Sequence, residues 1–257
     1  MRRIIYLVFV IFSMFIIPIK NVYSQDEYIL HNIKKSDAKA FTQGLELNGK
    51  GDLILATGQY GNSSIGILDP NTGQYDRVDY LDSSYFGEGI TFTDEALWQL
   101  TWKEETVFKR DPQSLNIIDK YYYEGEGWGL AYDPEQDVIW MSNGSDIIQQ
   151  RSAGNFELLD SIAVKLDGRA VENINELEYA NGYLYANVWY TNKIIAINLS
   201  TGEIDYQYDM TTLLTDNLTA NQMNSMDTLN GIAHIQGDRF YITGKYYPVL
   251  FEVELLR

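Results

Sequence analysis

Beyond its first 25 residues, the chain is a succession of short apolar or alternating runs cut by Gly, Pro, Asn, Asp and Ser. Runs of this kind predict β-strands separated by tight turns. Two strand signatures recur in order. The first reads Gln43-Gly44-Leu45, Glu88-Gly89-Ile90, Trp128-Gly129-Leu130, Glu176-Leu177-Glu178 and Asn230-Gly231-Ile232. The second is an apolar strand such as Leu53-Ile54-Leu55-Ala56-Thr57-Gly58, whose sixth position becomes Trp102, Gly144, Trp189 and Lys245 in the later copies. Turn residues hold a matching place in four units: Asp69-Pro70-Asn71-Thr72-Gly73, Asp111-Pro112-Gln113-Ser114, Ser152-Ala153-Gly154-Asn155 and Asn198-Leu199-Ser200-Thr201-Gly202. Self-similarity at a period of roughly 40–50 residues with several strands per unit predicts a β-propeller. The chain is therefore read as an all-β, five-bladed propeller forming one domain over residues 25–257.

The fifth unit has room for three strands only. Its fourth is expected from residues 27–33, where apolar and polar positions alternate, so that both termini close the ring and no edge is left free. Between units four and five, residues 211–228 are polar and lack strand alternation. They are expected to form a short helix or a loop over the mouth.

Residues 1–24 read as a signal peptide. Arg2 and Arg3 precede an apolar run, and Val22-Tyr23-Ser24 offers a cleavage site, so processing is expected before Gln25. Cleavage takes away three of the 19 basic residues and none of the 36 acidic ones, leaving a net charge of −20 against −17 for the whole chain. That balance argues against binding to nucleic acid or an anionic membrane. An exported chain without cysteine suits a bacterial periplasm or exterior. A soluble monomer without membrane association after cleavage is expected.

The absence of cysteine excludes disulfides, thiolate catalysis and Cys-ligated zinc. The two histidines, His31 and His234, stand alone in apolar stretches and read as packed residues. No G-x-S-x-G nucleophile motif occurs.

Equivalent positions of propeller blades converge on one axis. The repeat thus predicts a ring of Gln43, Glu88, Trp128, Glu176 and Asn230, with Trp102, Trp189 and Lys245 around it. Phe41 and Phe86 would add to the wall, and Asn175 would add an amide. An apolar pocket with a few convergent polar groups is the usual form of a small-ligand site. A carboxylate among indoles is desolvated while a nearby lysine favours its charge, a balance suited to moving protons both ways. Trp98 and Trp140, in mid-strand, read as packing. Gln43 and Asn230 also fit amides that satisfy strand ends through water, and Glu176 and Glu178 are either solvated or hold a cation. The repeated glycines read as close backbone packing at the axis.

Phe41-Thr42-Gln43-Gly44-Leu45, Phe86-Gly87-Glu88-Gly89-Ile90-Thr91, Leu100-Thr101-Trp102, Glu126-Gly127-Trp128-Gly129-Leu130, Asn175-Glu176-Leu177-Glu178, Asn187-Val188-Trp189 and Thr243-Gly244-Lys245 together resemble the plant-type glutaminyl-peptide cyclotransferases, the papaya-latex type of glutaminyl cyclase and its bacterial relatives. The resemblance spans nearly the whole chain after residue 24. It implies a five-bladed propeller that converts N-terminal glutamine of peptides or proteins to pyroglutamate, with release of ammonia and without a catalytic metal. It puts Glu88 in the place of the acid/base carboxylate, with Lys245 and Asn175 as hydrogen-bond donors. Phe41, Gln43, Phe86, Trp102, Trp128 and Trp189 fall on substrate-binding positions. No cofactor is required, and the channel leaves room for a structural cation such as calcium. Asn143 stands where the family pattern favours Asp. Two other readings stay open on the residues alone. One is a lactonase-like hydrolase with a cation held by Glu88, Glu176, Asn230 and Gln43; the other is a peptide-binding propeller without catalysis.

Overall fold

The computed structural model describes residues 27–257; the signal segment and its cleavage site lie outside the described residues. Five four-stranded antiparallel sheets follow one another in chain order, each running from an inner strand to an outer one. Blade one comprises Thr42–Leu47, Leu53–Thr57, Ser64–Leu68 and Tyr75–Tyr80. Blade two comprises Gly87–Phe92, Leu97–Thr101, Thr106–Arg110 and Ile117–Tyr122. Blade three runs from Leu130–Asp133 through Val138–Met141 and Ile147–Ser152 to Leu158–Ala163, and blade four from Ile174–Ala180 through Tyr183–Val188 and Lys193–Asn198 to Ile204–Asp209. Blade five takes Leu229–Gln236, Arg239–Gly244 and Val249–Leu255, and the N-terminal strand Tyr28–Lys35 closes it. Tyr28 faces Leu255 and Lys35 faces Val249, so the two ends of the chain are hydrogen-bonded into one sheet as the alternation near the N-terminus predicts.

Burial follows the strand order. Inner and second strands are almost entirely buried, whereas the outer strands Ile117–Tyr122 and Leu158–Ala163 are mostly exposed. The apolar clusters lie between neighbouring blades. Trp98 stacks on Phe156 in the wedge between blades two and three, and Trp140 packs toward Leu177 and Ile195 of blade four. Both are packing residues. The turns at the matching places are tied by their own side chains: Asp69 Oδ1 accepts from the Asn71 backbone N–H, and Asp111 Oδ1 accepts from Ser114.

The 211–228 insert forms two short helices, Thr211–Asn217 and Ala220–Ser225, the second opened by a Thr219/Gln222 capping box. It does not cover the mouth. Leu213, Leu214 and Leu218 are buried against Tyr185, Met210 and Tyr247 in the wedge between blades four and five, so the insert thickens that wedge. The histidines also differ from expectation. His31 is exposed with Nε2 at 2.8 Å from Glu254, and His234 is half-buried with Nε2 at 2.8 Å from the Gly237 carbonyl. Each lies where a strand meets solvent and finds a polar partner there.

Candidate active site

The site is built from one repeated backbone irregularity. Leu45, Ile90, Leu130, Leu177 and Ile232 face Leu55, Gln99, Met141, Ala186 and Ile242 on the second strands. Just before each of these apolar residues the register slips. Two inner-strand residues then oppose one on the partner strand, which is a β-bulge. In blade three the Trp128 N–H donates to the Ser142 carbonyl and the Ser142 N–H to the Gly129 carbonyl, the same two-against-one arrangement. A bulge re-aims a side chain at the end of a ladder. Here it presents Gln43, Glu88, Trp128 and Asn175 to one cavity.

This register corrects the predicted ring. In blade four the member equivalent to Glu88 is Asn175, and Glu176 takes the place that glycine holds in the other four blades. Gly44, Gly89 and Gly129 are required by proximity: a Cβ on Gly129 would lie 2.2 Å from the Asn175 carbonyl oxygen, and one on Gly44 2.8 Å from the Ile90 nitrogen. Gly231 is favoured by its φ of +131°. Glu176 instead sends its carboxylate across the axis, where it accepts from the backbone N–H of Ile232 at 2.9 Å and of Leu45 at 3.3 Å. One side chain thereby ties blades four, five and one together below the cavity. Glu178 lies one pleat further and accepts from the His234 N–H at 3.0 Å. Neither glutamate lines the cavity.

The cavity has a volume of about 330 Å³. The nine residues that the family resemblance places at catalytic and substrate-binding positions line it: Phe41, Gln43, Phe86, Glu88, Trp102, Trp128, Asn175, Trp189 and Lys245. A tenth is Glu126, which is not among the residues that the sequence singles out. The repeat does carry the signal, because Glu126 stands two residues before Trp128 as Phe41 and Phe86 stand before Gln43 and Glu88.

The wall is a belt of rings. Phe41 meets Phe86 edge-on at 6.1 Å between centroids, and Phe86 meets Trp102 at 5.5 Å. Trp128 meets Trp189 edge-on at 5.2 Å. Gly144, with φ of +82°, makes room for this corner, since a Cβ there would come within 2.6 Å of the Trp128 ring. Two charged groups complete the belt. Lys245 Nζ lies 4.8 Å from the Phe41 centroid and 5.7 Å from that of Trp189. Glu126 Oε2 accepts from Trp102 Nε1 at 2.8 Å and from Trp128 Nε1 at 3.0 Å.

Glu88 is 4 % exposed. Burial pushes its carboxyl well above the usual range; Lys245 opposes that shift, and the negative charges of Glu104 and Glu126 add to it. Burial also lowers the Lys245 ammonium, against the pull of Glu88 and Asp227. Glu88 Oε1 accepts from Gln43 Nε2 at 3.0 Å, and Gln43 Oε1 accepts from Asn230 Nδ2 at 3.1 Å. Asn230 lies behind the cavity rather than in its wall; its amide also donates to the Thr42 carbonyl at 3.1 Å. These amides thus bond protein groups directly, and Asn230 orients Gln43 toward Glu88. Asn175 Oδ1 is buried and receives no hydrogen bond from the protein.

The four residues of the lactonase-like reading do not converge. Glu88 and Gln43 face the cavity, Asn230 stands behind Gln43, and both oxygens of Glu176 are held by backbone N–H groups. Among the described residues, no group of three or more His, Asp or Glu is placed to hold a metal ion. Asn143, the departure from the family pattern, lies off the cavity wall, with Oδ1 accepting from the Ser145 hydroxyl and N–H. Its neighbour Ser142 touches the site: the hydroxyl accepts from the Gly129 N–H and donates to the Asn175 carbonyl at 2.6 Å.

A family model described as glutamine cyclotransferase matches residues 17–255. The chain is 34 % identical over 221 residues to a glutaminyl-peptide cyclotransferase of Arabidopsis thaliana, covering 85 % of this chain and 68 % of the relative. The crystal structure of Myxococcus xanthus glutaminyl cyclase superposes with a TM-score of 0.76 at 30 % identity, over 90 % of this chain and 97 % of that one. A Xanthomonas campestris gluconolactonase shares the fold alone, with a TM-score of 0.53 at 17 % identity over 86 % of this chain and 74 % of that one.

Proposed function

Because the chain belongs to the glutamine cyclotransferase family, we propose that its cavity closes the N-terminal glutamine of peptides with Glu88 as the single proton carrier. As a member of that family it is an enzyme, a glutaminyl-peptide cyclotransferase that forms pyroglutamate and releases ammonia. The observation that carries the proton-carrier role is the burial of Glu88 among Trp102, Trp128 and Lys245, in a cavity of single-residue size.

The substrate's own α-amine attacks the carbon of its own side-chain carboxamide. Proximity is supplied by the substrate, so the enzyme has to hold the curled conformer, and the ring belt does this. The amine is largely protonated near neutrality, with a reference pKa of about 7.7–8.0. Glu88 takes that proton, the C–N bond forms, and the tetrahedral species develops charge on the former carboxamide oxygen. Lys245 donates to that oxygen. Glu88 then returns the proton to the departing nitrogen, which leaves as ammonia. The ring nitrogen gives up its second proton to the freed Glu88 carboxylate, which passes it on, so that the released nitrogen departs as ammonium. Asn175 holds the substrate's backbone: its amide can donate to a carbonyl, and its unpartnered oxygen can accept an N–H. The indoles exclude water and attract the ammonium before it is deprotonated. No metal takes part in these steps, and any cation at the axis serves the fold.

The substrates follow from the N-terminus of the chain itself. Arg2, Arg3 and the apolar run after them direct export, and cleavage after Ser24 releases a soluble monomer to the periplasm or exterior. There it meets secreted peptides and proteins that begin with glutamine.

A Gln-initiated dipeptide, assayed for ammonia with and without EDTA, tests the reading. Ammonia release at equal rates is expected. Loss of turnover on chelation, restored by calcium, would favour the hydrolase; binding without ammonia would favour a peptide-binding propeller.

A further inference from the structure

The aromatic belt around the cavity is completed by two charged side chains of opposite sign. Lys245 stands between Phe41 and Trp189. Glu126 stands between Trp102 and Trp128, which belong to different blades. One oxygen, Oε2, accepts both indole N–H groups. The other, Oε1, lies 3.6 Å from Lys103 Nζ, and that ammonium covers the outer face of Trp102 at 3.8 Å. The backbone is arranged to bring the carboxylate in. The Gly127 N–H donates to the Trp102 carbonyl at 2.9 Å, and a Cβ on Gly127 would lie 2.4 Å from the Tyr123 hydroxyl.

We propose that Glu126 is a positioning residue for the cyclisation: its shared oxygen fixes Trp102 and Trp128 as one rigid corner of the cavity, and its negative charge holds Glu88 ready to accept a proton. The inference rests on the cyclisation reading above.

An indole can swing about its last side-chain torsion, and a T-shaped ring contact fixes that torsion weakly. A charge-assisted hydrogen bond to each Nε1 fixes it firmly. Lining the cavity with two indoles from separate blades therefore needs a common anchor, and a carboxylate oxygen with two acceptor positions is one. The charged groups acting on Glu88 are Lys245 across the cavity, and Glu104 and Glu126 on the blade-two and blade-three side. The phenols of Tyr60 and Tyr123 also sense Glu88, and each is held neutral well above physiological pH. Glu104 is already engaged at the rim, with its carboxylate accepting from the Tyr60 hydroxyl at 2.7 Å and from the Phe86 N–H at 3.2 Å. Glu126 is the acid that shares the cavity wall with Glu88.

The two roles separate on substitution. Glu126→Gln retains an oxygen that accepts both indole N–H groups but loses the charge. Glu126→Leu loses both. Purified parent and variants are compared by far-UV circular dichroism, tryptophan emission and quenching, and the pH profile of kcat/KM for a Gln dipeptide. In Glu126→Gln the acid limb should move to lower pH by roughly one unit, because a like charge near Glu88 has gone. Its tryptophan emission and KM should stay close to those of the parent. Glu126→Leu should show the same displacement, greater quenching of tryptophan, and KM raised ~10-fold from losing two charge-assisted hydrogen bonds. Unchanged tryptophan quenching in folded Glu126→Leu would overturn the anchoring role. An acid limb that stays in place in both variants would overturn the electrostatic one. A parent that binds the dipeptide yet releases no ammonia would instead remove the cyclisation reading, and the quenching experiment would still decide the anchoring.

Discussion

Gln43 donates its side-chain N–H to Glu88 Oε1 at 3.0 Å while its own oxygen is taken by Asn230 Nδ2 at 3.1 Å. The amide of Gln43 is thus oriented from behind, and Glu88 receives a donor rather than facing a second acceptor. Burial raises the Glu88 carboxyl, and the charge of Lys245 opposes that shift. The hydrogen bond from Gln43 and the charge of Lys245 keep its ionised form within reach, and a group poised between its two states carries a proton in both directions.

Glu88→Gln should separate binding from chemistry. Gln43 shows that an amide is accommodated at the equivalent place in blade one, so the variant should fold. The ring belt and Lys245 remain, so Gln peptides should still bind. The kcat should fall by roughly 10²–10⁴, the usual worth of a positioned acid/base. Isothermal titration of the dipeptide alongside ammonia release measures both. Near-native turnover in the folded variant would mean that another group moves the protons.

Trp128 should act on binding more than on the chemical step. Trp128→Ala removes a wall shared by ground and transition states, so KM should rise with a smaller loss in kcat. Gly144→Ala makes a related test from the other side. A side chain at φ of +82°, with its Cβ within 2.6 Å of the Trp128 ring, should displace that ring. The left-handed backbone should also cost about 1–2 kcal/mol of stability. Thermal unfolding and steady-state kinetics of the two variants should show KM raised in both and stability lowered in Gly144→Ala.

The propeller and nearly the whole cavity were legible in the sequence because each blade repeats one irregular strand, and irregularity at a fixed place leaves a motif. Phe41, Phe86 and Glu126 share one repeat position, but an acid among rings looks like surface until the indole N–H groups are seen to converge on it. Blade four misled for a physical reason. The glycine that marks the bulge elsewhere is Glu176 there, so a register read from glycine is off by one and exchanges Asn175 with Glu176. The buried apolar residue after the bulge, Leu177 in blade four, would have fixed it. The insert was ambiguous because its leucines fit a lid as well as a wedge, and only the neighbouring blades decide which.

The axis should make the fold sensitive to alkali. Glu46, Glu176 and Glu178 all have carboxyls raised above the usual range, chiefly by burial, with mutual repulsion contributing for Glu176 and Glu178. A group whose pKa is raised on folding contributes stability that is fully present below its unfolded value, 4.5 for glutamate, and is lost as pH rises through the folded value. The unfolding temperature should therefore decline as pH rises above the ordinary carboxylate range. Glu178→Gln keeps an oxygen for the His234 N–H and removes a charge. It should flatten the decline and raise the unfolding temperature by roughly 2–6 °C on the alkaline side, as expected of 1–2 kcal/mol in a chain of this size. Glu176→Gln should behave otherwise. Both its oxygens accept backbone N–H groups, so an amide sets donor against donor and should cost roughly 1–3 kcal/mol. Melting curves of the three proteins from pH 5 to pH 9 check the order.

The proposed cleavage would make the chain a substrate for its own reaction. Cleavage after Ser24, as proposed, would expose Gln25, which is followed by Asp26 and Glu27. The described propeller begins at Glu27, and Tyr28 is already paired into blade five. Tyr28 pairs with Leu255, at the end of the outer strand remote from Val249 and the cavity residue Lys245, and three residues of chain reach only about 10 Å, too short a tether to enter the cavity of the same molecule. Cyclisation of Gln25 should therefore occur between molecules. Its rate should rise with enzyme concentration, and added active enzyme should convert a Glu88→Gln preparation that scarcely converts itself. Intact mass follows the step, because each closure removes one ammonia. A mature N-terminus other than Gln25 would refute the cleavage site. A conversion rate in Glu88→Gln that does not respond to added active enzyme would refute turnover of the chain by its own kind.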